Sequence, residues 1–438
     1  MNLSTLKSNC ILNINFLLNQ WILKKQVIMK LYSRIILPIL LLFSISCKDY
    51  NKTKKGLRWS EERINRWYEN QPWLVGANFI TSSSINQLEF WQEETFNHEL
   101  IDKELELSAS IGMNAHRVYL HNLLWEQDSL GFLNRINKFL NLSEKHGIKT
   151  MFVFFDDVWH PVPRIGKQPK PIPMVHNSGW VQSPGAKILY DTLSHNKLES
   201  YVKGVVNKFA NDPRVLAWDL YNEPGITGIS SHDISKERAV ELYKKIGVEI
   251  TDDNYSSYNL SKIDPKSIKK TYTLSLLKKT VNWVRESNPS QPITMGIYNW
   301  DTNWSPLNVL SDLDKFIISN SDIISFHEYS GKENVLKRIK ELKIYNRPLI
   351  CSEYIARGAG STFEDILPIF MENKIAAFNW GLVSGKTNTI YPWKSWDSTF
   401  TEAPKLWHHD IFYPNGEPFS YEEVELIKKL TESVNGDD

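Results

Sequence analysis

Eight short apolar segments recur along the chain after residue 70, and stretches with helical periodicity separate them. Most are apolar almost without interruption, which is typical of strands buried on both faces of a parallel sheet. They lie at 73–79, 114–120, 148–155, 215–223, 292–300, 322–329, 348–354 and 375–382. The amphipathic stretches predict helices over 99–112, 132–147, 193–212, 265–288, 305–320, 332–345, 362–374 and 420–434.

This alternation predicts a (β/α)8 TIM barrel of the α/β class, built as a single domain over residues 70–438. An open, doubly wound sheet is the alternative. Such a sheet rarely needs eight strands, and a glycine-rich phosphate loop does not follow the first strand here. Long loops follow the third, fourth and eighth strands, at 156–192, 225–264 and 383–419. In a barrel these loops surround the site at the carboxyl ends of the strands.

Residues 1–47 are interpreted as an upstream extension followed by a targeting signal. A positively charged start at 29–34 precedes an apolar run at 35–46 that is too short to span a membrane comfortably. With a small residue before Cys47, the stretch resembles a bacterial lipoprotein signal whose lipidated residue is Cys47. A plain secretory signal and an uncleaved anchor are the alternatives. We predict a polar tether over 48–69 that joins the lipid to the domain.

Composition narrows the class of protein. The chain has 438 residues, of which 42% are hydrophobic and 12% aromatic, so it can bury a large core and is not disordered. A formal net charge of +1 gives no basic field for nucleic acid. If Cys10 is removed with the signal and Cys47 carries lipid, only Cys351 remains, which excludes a disulfide and a cysteine-based zinc site. Sixteen tryptophans suit a protein that stacks on sugar rings.

Polar side chains gather where the apolar segments end, whereas packing alone would spread them over both ends. The set comprises Asn78, Arg117, Asp156, Asp157, Asn222, Glu223, His327, Glu328, Tyr329, Glu353, Asn379 and Trp380. Glu328 alternates with its two neighbours along the strand, so we expect its side chain to point away from the barrel axis. The rest predict one shared site at the carboxyl ends of the strands.

Two carboxylates in this set, Glu223 and Glu353, indicate glycoside hydrolysis. That reaction needs one protonated carboxyl group for the leaving oxygen and one ionised group for the anomeric carbon or for water. Arg117 would keep the second group charged, and aromatic neighbours would raise the pKa of the first. A separation of about 5 Å between the two groups would predict retention of configuration, and about 8 Å inversion.

Four motifs, WDLYNEP, SFHEY, ICSEY and FNWGL, resemble the strand ends of retaining glycoside hydrolases built on a (β/α)8 barrel. The closest family is glycoside hydrolase family 5, which includes cellulases and mannanases, and the resemblance covers about residues 70–432. It implies that Glu223 is the general acid/base and Glu353 the nucleophile. It also implies substrate-site roles for Asn222 at the sugar 2-hydroxyl, Tyr329 and Arg117 beside Glu353, His327 near the acid/base and Trp380 beneath the sugar.

The chain departs from the family pattern after its third strand. Many members carry a histidine there, whereas this chain has DDVWH, which leaves Asp156, Asp157, Trp159 or His160 for that place. His408 and His409 have no acidic partner at metal-ligand spacing, so we interpret them as loop residues.

Two loops carry residue types that bind sugars, and such loops would close a groove into a pocket that favours exo action or short oligosaccharides. The first, at 166–185, carries His176, Asn177, Trp180 and Gln182. The second, at 384–396, carries Lys386, Asn388, Trp393 and Trp396. We predict that Trp159 and Trp180 contact substrate.

The sequence therefore predicts a retaining hydrolase of β-linked glucan, mannan, mannoside or xylan-type glycans, acting through a covalent glycosyl-enzyme. An inactive glycan-binding barrel and a transglycosylase are the alternatives. We expect no metal or organic cofactor, an oligosaccharide or polysaccharide substrate, no nucleic acid and a monomeric chain.

The lipid would hold the protein at the outer membrane or cell surface, and without it the protein would be periplasmic or secreted. The sugar, the linkage and the choice between endo and exo action stay open.

Overall fold

Eight parallel strands form the barrel that the sequence predicts. The computed structural model of the chain describes residues 57–226, 265–299 and 302–435. The strands are β1 (Val75–Asn78), β2 (Ala115–Tyr119), β3 (Lys149–Val153), β4 (Val215–Asp219), β5 (Ile293–Thr294), β6 (Ile324–His327), β7 (Leu349–Tyr354) and β8 (Ala376–Trp380). They pair in parallel in the order β5-β4-β3-β2-β1-β8-β7-β6.

The seam between β5 and β6 closes the barrel with fewer bonds than a full ladder. Strand β5 has two residues, yet the Ile297 amide donates to the Ser325 carbonyl at 3.1 Å and the His327 amide donates to the Ile297 carbonyl at 2.8 Å. The Thr294 and Ser325 hydroxyls also bond at 2.7 Å. These contacts bring the end of β6, and with it His327, against the end of β4.

Every helix predicted between the strands is present, with some bounds shifted. The helices are α1 (Glu61–Glu69), α2 (Gln87–Trp91), α3 (His98–Ala109), α4 (Asn122–Lys145), α5 (Ala186–Leu189), α6 (Glu199–Phe209), α7 (Pro265–Ser287), α8 (Asp312–Asn320), α9 (Lys332–Lys343), α10 (Phe363–Glu372) and α11 (Tyr421–Asn435). Helix α4 begins at Asn122 and carries a kink at Asp128, so it starts well before the predicted 132. Polar side chains cap the first turn of several helices. At the start of helix α10, for example, the Thr362 hydroxyl accepts a hydrogen bond from the Asp365 amide.

The tether predicted over 48–69 is wrong for its second half, because helix α1 covers the amino-terminal end of the barrel. Ile64 of this helix and Trp59, just before it, are buried and pack against Leu216, Ile350 and other residues near the starts of the strands. Hydrogen bonds reinforce this contact, since the Trp59 amide donates to the Asp322 carboxylate at 2.8 Å. The folded unit therefore begins at Arg58.

The remaining N-terminal predictions fall outside the described residues. The signal over 1–47 and its Cys47 belong to this part of the chain, as does most of the connection predicted at 225–264. Within the described residues, every helix is too short or too polar to cross a membrane.

The carboxyl end of the barrel carries a polar site because the strand sequences change character there. Apolar side chains fill the layer between the strands and the surrounding helices, including Phe152, Trp218 and Phe326. Most strands end in Asn, Asp, Glu, His or Trp or lead into such residues, and the loops after β3 and β8 rise above this end. The site is consequently framed by a rigid sheet below and by two long loops above.

Candidate active site

Arg117 on β2 lies at the centre of the polar cluster and is fully buried. Its guanidinium contacts five side chains within 3 Å: Asn78, Tyr119, Asp219, Asn222 and Glu353. Two of these partners are carboxylates, at 2.7 Å from Asp219 and 2.7 Å from Glu353. A buried cation needs such compensation. We predicted Arg117 among the residues of the substrate site, and the structure places it behind Glu353 without exposure to the cleft.

Glu353 near the end of β7 is held by three donors. Arg117 and the Tyr119 hydroxyl donate to Oε1 at 2.7 and 2.8 Å, and the Tyr329 hydroxyl donates to Oε2 at 2.7 Å. All three bonds favour an ionised carboxylate, because a carboxylate accepts and does not donate. These three bonds therefore hold Glu353 as a carboxylate that faces the cleft.

Glu223, after β4, has a different environment. Burial raises the pKa of Glu223 to about 7, and the nearby charge of Arg117 opposes that rise. Its backbone φ is +43°, in the left-handed region that non-glycine residues rarely adopt. Its side chain contacts His327, whose Nδ1 lies 2.9 Å from Glu223 Oε1. Since burial also lowers the pKa of His327 to about 4, that imidazole is neutral near pH 7.

The two carboxyl groups are close together. One oxygen of Glu223, one oxygen of Glu353 and a ring nitrogen of His327 all lie within 4.8 Å of one another. This spacing agrees with the separation of about 5 to 5.5 Å found between the carboxyl groups of retaining glycosidases. Three such donors could also contact a cation, but Glu353 is already neutralised by Arg117 and the acid form of Glu223 is a poor ligand.

Asp156, three residues after the end of β3 and one of the four candidates for the place of the family's histidine, bonds Asn222 and Trp180. Its Oδ1 accepts from Asn222 Nδ2 at 3.0 Å and its Oδ2 accepts from Trp180 Nε1 at 2.7 Å. The Asn222 carbonyl oxygen meanwhile accepts from Arg117 at 2.8 Å. Asn222 is thereby fixed with its amide nitrogen towards Asp156, and that nitrogen retains a second hydrogen for a ligand.

The other candidates after β3 have different places. Asp157 points away from the cleft and accepts from Tyr221, the Gly225 amide and Thr273. Trp159 lines the cleft. His160 is buried and bridges to Val181 in the same loop.

A cleft opens above the two carboxyl groups, and more than half of its lining residues carry an aromatic or imidazole ring. It is lined by Val158, Trp159, His176, Asn177, Trp180, Asn222, Glu223, Ile226, Tyr329, Glu353, Trp380, Trp393 and His409. Trp180 and Trp380 contact each other edge to face at 5.6 Å, and each also contacts Tyr119 in this way. Flat apolar rings beside carboxyl groups and an amide form a site that suits a sugar.

Comparison with known proteins agrees with this geometry. The family model described as cellulase (glycosyl hydrolase family 5) matches residues 80–385, which is more than half of the chain. The chain belongs to glycoside hydrolase family 5. It is thus a glycoside hydrolase, and the predicted family, reaction class and fold are confirmed.

Individual relatives of this family 5 hydrolase are distant. Mannan endo-1,4-beta-mannosidase A of Emericella nidulans is 28% identical over 96 residues, a match that spans 22% of this chain and only 23% of that relative. The solved structure of GH5_18 from Streptomyces cattleya, in complex with GlcNAc, has a TM-score of 0.51 and 11% identity, covering 83% of this chain and 81% of that one. The beta-mannanase of the blue mussel Mytilus edulis has a TM-score of 0.50 and 14% identity, covering 82% and 91%. These two structures share the barrel fold with this chain.

Several loop residues of the family 5 hydrolase do not reach the cleft. Gln182 donates to the Trp159 carbonyl at 3.0 Å, and Lys386 pairs with Glu89 at the surface. Asn388 donates to the Ile172 carbonyl at 3.0 Å, and Trp396 stacks behind Trp159 with ring centroids 5.0 Å apart. These residues shape the loops and do not line the site.

Two further predictions concern residues outside the carboxylate pair. Glu328 is buried 3.6 Å from Arg338 of helix α9, on the outer face of the barrel, as its alternation along the strand predicts. His408 and His409 lie in the loop after β8, as predicted, but both are buried and His409 lines the cleft. Their rings pack against each other and against His176.

Tyr119, like Asp219, is a site residue that the sequence analysis did not identify. It donates to Glu353 and its ring contacts Trp180 and Trp380. It stands two residues after Arg117 on β2, so strand alternation puts both on the same face. That spacing is the signal that could have revealed it.

The pKa of Glu223 predicts the alkaline side of the pH profile. The acid form is required, and because burial raises its pKa to about 7, that form is lost as the pH rises past this value. We expect kcat/KM to fall about tenfold per pH unit above pH ~7, as for any required acid above its pKa. In Glu223→Gln, assayed with an aryl glycoside that has a good leaving group, this alkaline fall should disappear. An unchanged fall in that variant would assign it to another group.

Asp156→Asn tests the fixation of Asn222. The new amide cannot accept from both Asn222 and Trp180, so one amide hydrogen must face another donor. We expect kcat/KM to fall on the order of 10- to 100-fold, the cost of one or two misplaced hydrogen bonds in a buried site. Asp191→Asn, at an exposed turn where Asp191 bonds only its own loop, is the control and should stay near wild type. If a folded Asp156→Asn variant has the kcat/KM of the wild type, Asp156 has no role in positioning Asn222 for catalysis.

Proposed function

We propose that this protein hydrolyses β-linked glycosides with retention of configuration, through a covalent glycosyl-enzyme. The observation that carries the proposal is the close pair formed by Glu223 and Glu353, whose environments differ in the required way. Glu353 accepts three hydrogen bonds as an anion, while burial raises the pKa of Glu223 to about 7. Two nearby carboxyl groups held in opposite protonation states assign one as nucleophile and the other as acid.

In the first step, the Glu353 carboxylate attacks the anomeric carbon and forms an ester with the sugar. Glu223 gives its proton to the glycosidic oxygen as the bond to the leaving group breaks. His327 holds Glu223 from one side, since a hydrogen on Nδ1 can donate to Oε1 and leaves Oε2 for the acidic proton. The loss of negative charge on Glu353 is balanced because Asp219 still faces Arg117.

In the second step, the roles of Glu223 reverse. Its carboxylate takes a proton from water, which attacks the anomeric carbon, and Glu353 leaves as a carboxylate. Two inversions give net retention. Tyr119 and Tyr329 bond the two oxygens of Glu353 and keep them in place through both steps. Asn222 is fixed to donate to the sugar hydroxyl next to the anomeric carbon, where such bonds strengthen in the transition state.

For the substrate we propose a β-mannosidic glycan first, ahead of β-glucan and xylan-type glycans. The support is the similarity of 96 residues to a fungal enzyme named for cleavage of mannan. The aromatic cleft, with Trp380 and Trp180 beside the carboxyl pair, suits the flat apolar face of a β-linked pyranose.

A panel of 4-nitrophenyl β-glycosides tests this proposal. Mannoside, glucoside, xyloside and N-acetylglucosaminide should be compared for release of nitrophenol by the wild type and by Glu353→Gln. We expect the mannoside to react fastest, with the proton NMR signal of the first-formed product in the β configuration. Release from none of the four, or a first product in the α configuration, would contradict the proposed function.

We also propose that Cys47 carries a lipid that attaches the chain to the outer membrane or cell surface. The support is the charged start at 29–34, the apolar run at 35–46 and the small residue before Cys47. Growth of a bacterial host with an alkyne-labelled fatty acid should label the wild type, whereas Cys47→Ser should stay unlabelled. Equal labelling of the wild type and of Cys47→Ser would show that Cys47 is not the lipidated residue.

A further inference from the structure

The loops after β3 and β8 are bonded to each other along one side of the cleft. Several hydrogen bonds that involve backbone atoms join the two loops, among them Asn177 N to Thr387 O at 2.7 Å, Asn388 Nδ2 to Ile172 O at 3.0 Å and Trp396 Nε1 to His176 O at 2.8 Å. The His176 amide also donates to the Ser395 hydroxyl at 2.9 Å. Trp159 stacks on Trp396 across the same boundary. These contacts join the two loops along this side of the cleft, which is called its closed side below.

The closed side is the side of the nucleophile. Trp180 and Trp380 pack on Tyr119, and Tyr119 donates to Glu353. Trp393 packs edge to face on Tyr329 at 5.1 Å, and Tyr329 also donates to Glu353. In a retaining hydrolase the nucleophile lies beneath the sugar that stays on the enzyme, and the acid faces the leaving group. The closed side therefore receives the sugar that becomes attached to Glu353.

Space behind Trp380 is too small for a second sugar. A second cavity lies there between the ends of β1 and β8, lined among others by Phe79, Leu382 and Thr389. Its volume is about 10 Å³, against about 60 Å³ for the cleft itself. A cavity of roughly 10–15 Å³ holds about a single water molecule. A glycan that occupied the cleft could not extend past its terminal residue in this direction.

Asn177 supplies a polar group at the closed end. It lines the cleft, it is almost completely buried, and its Oδ1 has no hydrogen-bond partner among the described residues. A buried acceptor without a partner costs free energy that a bound hydroxyl would recover. Its backbone is in the left-handed region, with φ at +49°, and the Thr387 carbonyl holds it there. The contact between the loops thus fixes the position of Asn177 in the wall of the cleft.

We propose that the enzyme acts only at the non-reducing end of its substrate and releases single sugars, and that Asn177 recognises a hydroxyl of that terminal sugar. This inference rests on the proposed retaining glycosidase function. It specifies the substrate class as chain ends and short oligosaccharides, and it assigns Asn177 a binding role that the family motifs do not contain.

Oligosaccharides with a blocked end provide the first test. The sugar that reacts fastest as an aryl monoside should be presented as a β-1,4-linked tetraose, once free and once with its non-reducing end blocked as a 4-O-methyl ether. We expect stepwise release of monosaccharide from the free tetraose and at least a hundredfold slower cleavage of the capped one. Comparable cleavage of both, or disaccharide as the first product, would overturn exo action while leaving the hydrolase function intact. Failure on every aryl monoside with cleavage of a free tetraose would overturn exo action alone, whereas failure on every aryl monoside and every tetraose would overturn the proposed function and this inference with it.

Asn177→Gly provides the second test, because glycine accepts the left-handed backbone and removes only the side chain. We expect kcat/KM on the aryl monoside to fall about tenfold or more, in proportion to one lost hydrogen bond to the sugar. Met174→Gly is the matched control, since Met174 also has a positive φ of +64° in the same loop but does not line the cleft. It should remain within about twofold of wild type. Equal kcat/KM for Asn177→Gly and wild type, at equal melting temperature, would remove Asn177 from sugar recognition.

Discussion

Glu353→Gln should lose activity on the order of 10⁵-fold, the range in which removal of a nucleophile leaves only binding and electrostatic contributions. The amide has the same shape as the carboxylate. Its oxygen can still accept from Arg117 and Tyr119, and its nitrogen can donate to the Tyr329 hydroxyl. The surrounding bonds therefore survive, and the loss should come from the chemistry and not from unfolding. Steady-state rates on an aryl glycoside would measure it.

A fluorinated sugar gives a direct readout of the same residue. A 2-deoxy-2-fluoro glycosyl fluoride forms the covalent intermediate quickly and releases it slowly, so the wild type should gain the mass of one sugar on the peptide that contains Glu353. Glu353→Gln should gain none. Glu104→Gln is the matched control because Glu104 is also a buried carboxyl, with its pKa raised by burial to about 7, but it bonds Ser82 outside the cleft. A label on any other carboxyl group would remove Glu353 as nucleophile.

Glu223→Ala should show a loss that depends on the leaving group. Glycan substrates and aryl glycosides with weakly acidic phenols need the proton, so we expect their rates to fall on the order of 10³- to 10⁴-fold. Dinitrophenyl glycosides leave without protonation, so their first step should be nearly normal and the glycosyl-enzyme should accumulate. A burst of dinitrophenol followed by slow turnover would measure this difference.

Azide should restore turnover of Glu223→Ala, because it is an anion that needs no general base and can enter the space left by the side chain. The product should be the β-glycosyl azide, since attack on the α-linked intermediate inverts it once more. With Glu353→Ala, an azide adduct would instead have the α configuration, because azide would replace the nucleophile. Equal losses for all leaving groups, without azide rescue, would contradict the role of Glu223 as acid/base.

The barrel was predictable because buried parallel strands have an unusual sequence. Runs such as 148–155 and 348–354 are too apolar and too short for surface helices, and eight of them leave few other folds. Helix α1 was not predictable in this way. Its sequence is mostly charged. Its buried Ile64 and the preceding Trp59 stabilise the helix only by covering the open end of the barrel, which the local sequence does not reveal.

The catalytic pair was predictable and its surroundings were only partly so. Glu223 and Glu353 end strands in recognisable motifs, so the sheet alone brings them together. Asp156 and Asp157 are adjacent, and sequence cannot tell which faces Asn222, because that depends on the register between β3 and β4. The position of Asn177 in the wall of the cleft depends on a hydrogen bond from its amide to Thr387 in the loop after β8, more than 200 residues away.

The position of helix α1 determines where a support or a fusion partner can be joined to the folded domain. Arg58 donates to carbonyls at the end of helix α8, so the folded unit begins beside the amino-terminal ends of the strands. Glu223 and Glu353 lie at the other end of the barrel. A resin, a display scaffold or a fusion partner joined ahead of Arg58 would therefore leave the cleft facing outwards, whereas truncation past Trp59 would uncover the barrel floor. Immobilised enzyme should for this reason keep its turnover on large substrates.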